Sequence, residues 1–174
     1  MHRLDFKKRR DLPSAPPNDL RQALRQFASG VTIVTAECEG EQYGITVSAF
    51  SSISLDPPII MVSINSASQL ADMIARSEHF AVHILSAGQE ELSARFANSA
   101  TGSEKYRELQ VTPGRSGAPM LEGMLAVFDC VLDQTLLVGT HTLMFGRVVH
   151  ATSLPEPGDP LLYYHRAYRR IGTS

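Results

Sequence analysis

Cysteine is scarce in this chain, with two in 174 residues. Cys38 and Cys130 lie far apart and neither belongs to a C-x-x-C pair, so zinc-ribbon and redox-motif readings have no support. Cys130, within an apolar run, reads as a small buried hydrophobe. Long hydrophobic runs are missing too. None approaches the roughly 18 residues of a spanning helix, so no membrane role is expected. No apolar stretch of about 7–15 residues follows the N-terminal charges, so no secretory signal is expected and the cytoplasm is the default location. Charge of one sign is also lacking: 16 Lys and Arg meet 18 Asp and Glu, a net −2. What remains is ordinary globular composition, 43% hydrophobic, in a length that suggests one domain at roughly 100–200 residues each. Such a chain buries about 70% of its unfolded surface and needs no disulfide or metal staple.

The near-balance of charge conceals an asymmetry. Residues 1–17 hold Arg3, Lys7, Lys8, Arg9 and Arg10 against Asp5 and Asp11, a net +3 that leaves −5 for the rest. Two readings stand. One is a basic arm for an anionic partner; the other is a solvated terminus kept out of regular structure by Pro13, Pro16 and Pro17. The expected division is a disordered or extended basic arm over 1–17 and one folded domain over 18–174. The acidic remainder speaks against nucleic acid, because phosphate contacts need bases clustered on the binding face.

Periodicity then lays out the elements. Asn18 or Asp19 is placed to cap a helix over about 19–29, with Leu20, Ala23, Leu24 and Phe27 as its apolar stripe and Gly30 as its stop. Residues 31–36 and 43–48 read as strands joined by a polar loop over 37–42. After the Asp56-Pro57-Pro58 turn, residues 59–64 read as a buried strand. A helix carrying Leu70, Met73 and Ile74 follows, then a strand over 80–85. Ser86 with Gln89 forms a capping box for a helix with Leu92 and Phe96. Residues 98–119 are the least regular, with one short helix around 105–109. Two long strands, about 125–137 and 141–151, meet near Gly139, and a short strand over 161–164 closes the pattern. Six or seven strands with three or four short helices favour a mainly β, closed antiparallel barrel over a parallel βαβ wind.

The usual catalytic signatures are absent. No G-x-G-x-x-G follows a strand, and there is no P-loop, G-x-S-x-G or H-E-x-x-H. His79 and His83 fall on a strand and are expected on opposite faces, which leaves no metal site in view. Four segments carry open alternatives. In Asn65-Ser66-Ala67-Ser68 a strand gives way to a helix, so its N–H groups and hydroxyls suit an anion, or Ser66 or Ser68 simply caps, or both. The small and hydroxyl residues over 44–52 admit a flat ring to the backbone, or form a serine-rich passage with no ligand. His141 is a substrate-facing group or a loop histidine bonded to backbone. The mixed aromatic and basic run over 163–170 suits stacking on a nucleotide or single-stranded nucleic acid, or is an edge strand with a solvated basic end.

Taken in order, these fragments resemble one family. Phe27-Ala28-Ser29-Gly30-Val31-Thr32-Ile33-Val34-Thr35, the block from Gly44 to Pro58, residues 80–89 and 92–97, Gly139-Thr140-His141-Thr142-Leu143 and Pro160-Leu161-Leu162-Tyr163-Tyr164 make the chain similar to the short-chain flavin reductases. These are the reductase partners of two-component flavin-dependent monooxygenases. The likeness covers about residues 20–171, and 46–58 is its most specific piece. It implies an FMN-binding split barrel, six antiparallel strands with three or four peripheral helices, usually a homodimer. It also implies FMN or FAD reduced by NADH or NADPH, with reduced flavin passed to a monooxygenase. Carried over, Thr46, Val47, Ser48 and Ala49 meet the flavin ring, with Ser51 and Ser52 beside ring and ribityl chain. Asn65, Ser66, Ala67 and Ser68 hold the ribityl–phosphate end, and Phe96 and Ala97 close the pocket. His141, as the catalytic residue, faces the nicotinamide with Arg166, Ala167 and Tyr168. The family commonly has Gly-Asp-His where this chain has Gly139-Thr140-His141, so a neutral hydroxyl stands where a carboxylate would favour the imidazolium. A non-catalytic flavin carrier or store of the same fold is the alternative.

Overall fold

The computed structural model describes residues 12–100, 102–156 and 158–171. Most of the expected basic arm, 1–11, lies outside them. Helix α1 (Pro17–Leu24) starts on proline, which needs no amide partner in the first turn. Neither Asn18 nor Asp19 caps it, and Pro16 stands at the cap position. The helix ends sooner than its stripe suggested, because Ser29–Gly30 becomes a short strand, β1, that pairs with β11 (Leu162–Tyr164). The stripe is not core: Leu20, Leu24 and Phe27 are 53%, 60% and 74% exposed.

The hairpin of β2 (Thr32–Cys38) and β3 (Glu41–Val47) turns on Glu39 and Gly40, both at positive φ, so it is tighter than the expected loop. Strand β4 (Phe50–Leu55) pairs antiparallel with β5 (Pro58–Asn65), although the serines disguise it as a loop. Helix α2 (Gln69–Ser77) is capped by the Ser68 hydroxyl, which accepts from the Leu70 N–H, and buries Leu70, Ala71, Met73 and Ile74. After β6 (His79–Ile84), the Ser86 N–H donates to Gln89 Oε1 at 2.8 Å, half of the expected capping box, and α3 (Glu90–Ala97) begins one residue later. The short helix expected around 105–109 lies earlier, as α4 (Gly102–Lys105). The irregular segment then forms a hairpin, β7 (Val111–Pro113) with β8 (Pro119–Leu121). Strands β9 (Ala126–Val138), β10 (His141–Ser153) and β12 (Ala167–Arg169) complete the set.

The main sheet is antiparallel with order β3-β2-β6-β9-β10-β5-β4, seven strands where the family resemblance implied six, and its order ends on β3 and β4 without the pairing that would close the expected barrel. Alternate residues feed two cores. Val34, Val62, Phe80, Val82, Cys130 and Met144 pack with α2 on one face. Ile33, Ala81, Leu85, Val127 and Phe96 pack with the β7–β8 hairpin on the other. At Gly146 the sheet has no room for a side chain: a Cβ would lie 2.5 Å from the Phe80 ring.

His79 and His83 share one face of β6, contrary to expectation, because residues at even spacing line the same side of a strand. They stand about 13 Å apart along it. His83 is fully buried and contacts Ile33 and Leu121, while the ring of His79 lies beside Gly117. Among the described residues no group of three or more His, Cys, Asp or Glu side chains is placed to hold a metal.

Candidate functional site

The segment following β3 lies outside the strand ladders, and its residues Ser48 and Ala49 line two cavities. The first, about 490 Å³, is lined by Ile45, Thr46, Val47, Ser48, Ala49, Ser63, Ile64, Asn65 and His141. The antiparallel register explains the convergence: β10 places His141 directly opposite Asn65 at the end of β5. The carbonyls of Ser48 and Ala49 accept from the Phe50 and Ser63 N–H groups, whereas their own N–H groups find no backbone acceptor among the described residues. Two exposed backbone donors therefore sit at the lip of a cleft with apolar walls.

Strand β3 is held rigidly from behind. Thr46 Oγ1 donates to the Ser93 carbonyl at 2.6 Å, tying the strand to α3. Buried Lys105 donates to the Gly44 carbonyl (3.1 Å), the Tyr43 hydroxyl (3.3 Å) and the Phe96 carbonyl (3.4 Å), and its ammonium lies 4.4 Å from the Tyr43 ring centroid. Phe96 fills the space beside Gly44, where a Cβ would come within 2.8 Å of its ring. So Phe96 does not close the cleft as expected; it is fully buried beneath β3, edge-on to Tyr106. Ala97 is exposed beyond it.

The 65–68 turn differs from a free anion cradle. The Ser66 N–H and hydroxyl both donate to the Thr140 carbonyl, at 3.0 and 3.1 Å. The Ala67 N–H donates to Asn65 Oδ1 and the Ser68 N–H to the Asn65 carbonyl, both at 2.9 Å. The backbone donors of Ser66, Ala67 and Ser68 are thus already engaged, which leaves the Ser68 hydroxyl proton and the Asn65 side-chain amide as donors without a partner among the described residues. Ser51 and Ser52 lie on β4 opposite Met61 and Ile60 and do not line the cleft. His141 is exposed at the cleft, with Thr140 Oγ1 3.0 Å from its Nδ1.

The second cavity, about 600 Å³, shares Ser48 and Ala49 with the first. It is lined by Arg21, Leu24, Arg25 and Phe27 from the α1 region and by Tyr163, His165 and Arg166. Of the residues expected at the nicotinamide, Arg166 lies here. Tyr168 instead packs, donating from its hydroxyl to Ser93 Oγ at 2.9 Å and meeting Tyr163 edge-on, and Ala167 pairs with Tyr164. Arg21 and Arg25 have no role in the sequence reading, and Phe27 falls there in the helical stripe and the family-like segment; the available signal is two arginines at i, i+4 beside that stripe.

The sequence model of the flavin reductase like domain matches residues 24–172. The chain belongs to this family. Among curated proteins, the flavin reductase family member from Rhodococcus sp named NADH-dependent flavin reductase is 39% identical over 162 residues, covering 91% of this chain and 89% of its own. The reductase component of 4-hydroxyphenylacetate 3-monooxygenase from Thermus thermophilus is 36% identical, covering 87% and 94%. The solved NADH:FAD oxidoreductase SgcE6 from Streptomyces globisporus, in complex with NAD and FAD fragments, superposes with a TM-score of 0.83 at 29% identity, covering 92% and 98%.

Neither cysteine of this flavin reductase family member joins the cleft. Burial, and then the nearby Asp129, push the Cys130 thiol up to about 12, so it stays protonated within the core. Cys38 is half-buried at the β2 end.

Proposed function

We propose that this chain is an NADH-dependent flavin reductase that passes reduced flavin to a partner monooxygenase. One observation carries the reading: Ser48, Ala49, Asn65 and His141 converge on a single cleft. The lining suits a flavin by its chemistry, since the Ser48 and Ala49 N–H groups and the Asn65 amide offer donors to a polar ring edge. Ile45, Val47 and Ala49 offer an apolar wall. FMN or FAD bound there supplies the hydride-accepting chemistry, with NADH or NADPH as donor.

The protein's own task is orientation. A strand braced by Thr46, Lys105 and Phe96 fixes the Ser48 and Ala49 donors before any ligand arrives, and preorganised dipoles stabilise developing negative charge without rearranging. Thr140 holds His141 through Nδ1, which leaves Nε2 as the free polar atom of the ring. Ser66, Ala67 and Ser68 act by shaping the turn that presents Asn65, and Ser51 and Ser52 by extending the sheet beside it. Arg166 extends the nicotinamide side, and Ala167 and Tyr168 support it.

The seven-stranded antiparallel sheet reads as the split barrel of the family, within one folded domain whose first helix begins at Pro17. The reading extends to a cytoplasmic homodimer. No helix among the described residues is long and apolar enough to cross a membrane. Leu136, Leu137 and Val138, 53%, 66% and 53% exposed at the end of β9, supply apolar surface for a second copy.

The test is oxidation of NADH and NADPH by the purified chain, with FMN, FAD, riboflavin or no flavin. Rapid, flavin-dependent consumption of NADH is expected. Flavin binding without turnover in any pairing would replace the reductase with a flavin carrier.

A further inference from the structure

The second cavity carries a positive charge that the described structure leaves unbalanced. Arg21 and Arg25 stand one turn apart on the α1 segment, a spacing at which like charges repel. Arg166 faces them from the β11–β12 turn. Among the described residues, the ion pairs of Arg76 and Arg170 leave Arg21, Arg25 and Arg166 without a carboxylate partner. Arg21 donates only to the neutral amide of Asn18, at 3.0 Å.

The turn itself is strained. His165 and Arg166 occupy the left-handed region in succession, at φ of 52° and 66°. A two-residue hairpin of this kind favours Asn and Gly, and the two larger residues adopt it at a conformational cost. Strain of this sort tends to persist where ligands are clamped. Two contacts lock the turn to the helix segment: the His165 N–H donates to the Arg25 carbonyl at 3.3 Å, and the Tyr164 hydroxyl to Gln26 Oε1 at 3.1 Å. The backbone carrying Arg25 is therefore fixed against the turn that carries Arg166, and Arg21, Arg25 and Arg166 line one cavity. Phe27 and Tyr163, 74% and 41% exposed, add aromatic walls, and Ser48 and Ala49 join this space to the cleft of His141.

We infer that Arg21, Arg25 and Arg166 form a binding site for the diphosphate bridge of an adenine dinucleotide whose reactive ring lies in the adjoining cleft. Guanidinium forks match phosphate oxygens two at a time, and two cavities that share Ser48 and Ala49 as lining suit a ligand longer than a mononucleotide. The inference rests on the reductase reading for the ring's position. The same diphosphate chemistry belongs to NADH as donor and to FAD as acceptor, and the experiment separates them.

Equilibrium binding would be measured for NAD⁺ against nicotinamide mononucleotide, and for FAD against riboflavin. The proteins would be wild type, the double variant Arg21→Gln/Arg25→Gln, Arg166→Gln, and Arg115→Gln as a charge control on a distant exposed turn. Losing charged hydrogen bonds should weaken one dinucleotide roughly ten- to a hundred-fold, with riboflavin and the mononucleotide unchanged. Loss confined to NAD⁺ assigns the site to the donor, and loss confined to FAD assigns it to the flavin. Unchanged dinucleotide affinities, equal losses for riboflavin, or the same loss in Arg115→Gln would each overturn it. These titrations need no turnover, so a wild type that binds dinucleotides but oxidises no NADH would fail the reductase reading alone.

Discussion

The ring of His141 is steered through one nitrogen and through the backbone that carries it. Thr140 reaches Nδ1 from 3.0 Å, while its carbonyl takes two hydrogen bonds from Ser66, so the β9–β10 turn is latched to the loop ahead of α2. A hydroxyl orients an imidazole without the charge that would favour its cation. The residue is exposed, so its removal should spare the fold. His141→Ala is expected to slow reduction of bound flavin by NADH roughly 10- to 100-fold, through lost alignment, with flavin affinity within about twofold. Stopped-flow reduction reads this directly, and an unaltered rate would remove His141 from the site.

At the scale of elements, the β7–β8 hairpin is fastened to the sheet by buried polar side chains on three different strands. Thr35 donates to the Pro119 carbonyl at 2.6 Å, and Asp129 accepts from the Ser116 hydroxyl and, at 3.1 Å, from the Ser116 N–H. His83 lies between them: Nδ1 is 3.0 Å from the Ile33 carbonyl, and Nε2 accepts from the Leu121 N–H at 3.0 Å. That acceptor role requires the neutral ring. Burial pushes His83 from 6.5 down to about 4, opposed weakly by the Ile33 carbonyl. Below pH 6.5 the unfolded chain takes up a proton that the folded chain refuses, so stability falls with pH until about 4, where the folded ring also protonates. The loss from this group approaches about 3 kcal/mol. Urea titrations at pH 7 and pH 4.5 should show a smaller acid loss in His83→Gln than in wild type. Equal losses would mean that His83 is not the responsible group.

For the whole molecule, apolar surface is left over at particular places. Leu136, Leu137 and Val138 extend past the core on β9, and Leu55 at the end of edge strand β4 is 89% exposed. Surface of this kind on an open edge favours association with another chain. A homodimer is therefore expected in sedimentation at micromolar concentration, and replacing Leu136 and Leu137 by Lys should shift it towards monomer. A wild type that sediments as a monomer would contradict this. The second cavity would then be judged on one chain alone, which is how the dinucleotide titrations already treat it.

Local pattern carried much of this architecture. The β-branched run of β2 and its returning strand β3, the alternation of β6, the apolar run of β5 and the Ser68 cap of α2 are decided by residues within a few positions of one another, so they were legible one-dimensionally. The small-residue passage over Thr46–Ala49 and the single histidine after Gly139-Thr140 were legible as candidates for the same reason. Tertiary structure decided the rest. The stripe of Leu20, Leu24 and Phe27 has helical period whether it meets a core or a ligand, and only packing distinguishes the two. The β7–β8 hairpin exists because Thr35, His83 and Asp129 reach it from three strands, and Phe96 lies beneath β3 because Gly44 leaves space there. The meeting of Arg21 and Arg25 with Arg166 needs the β1–β11 pairing to close a loop of more than 130 residues, from Ser29 to Tyr163. No window of sequence contains that contact, because chain folding, and not periodicity, brings its two sides together.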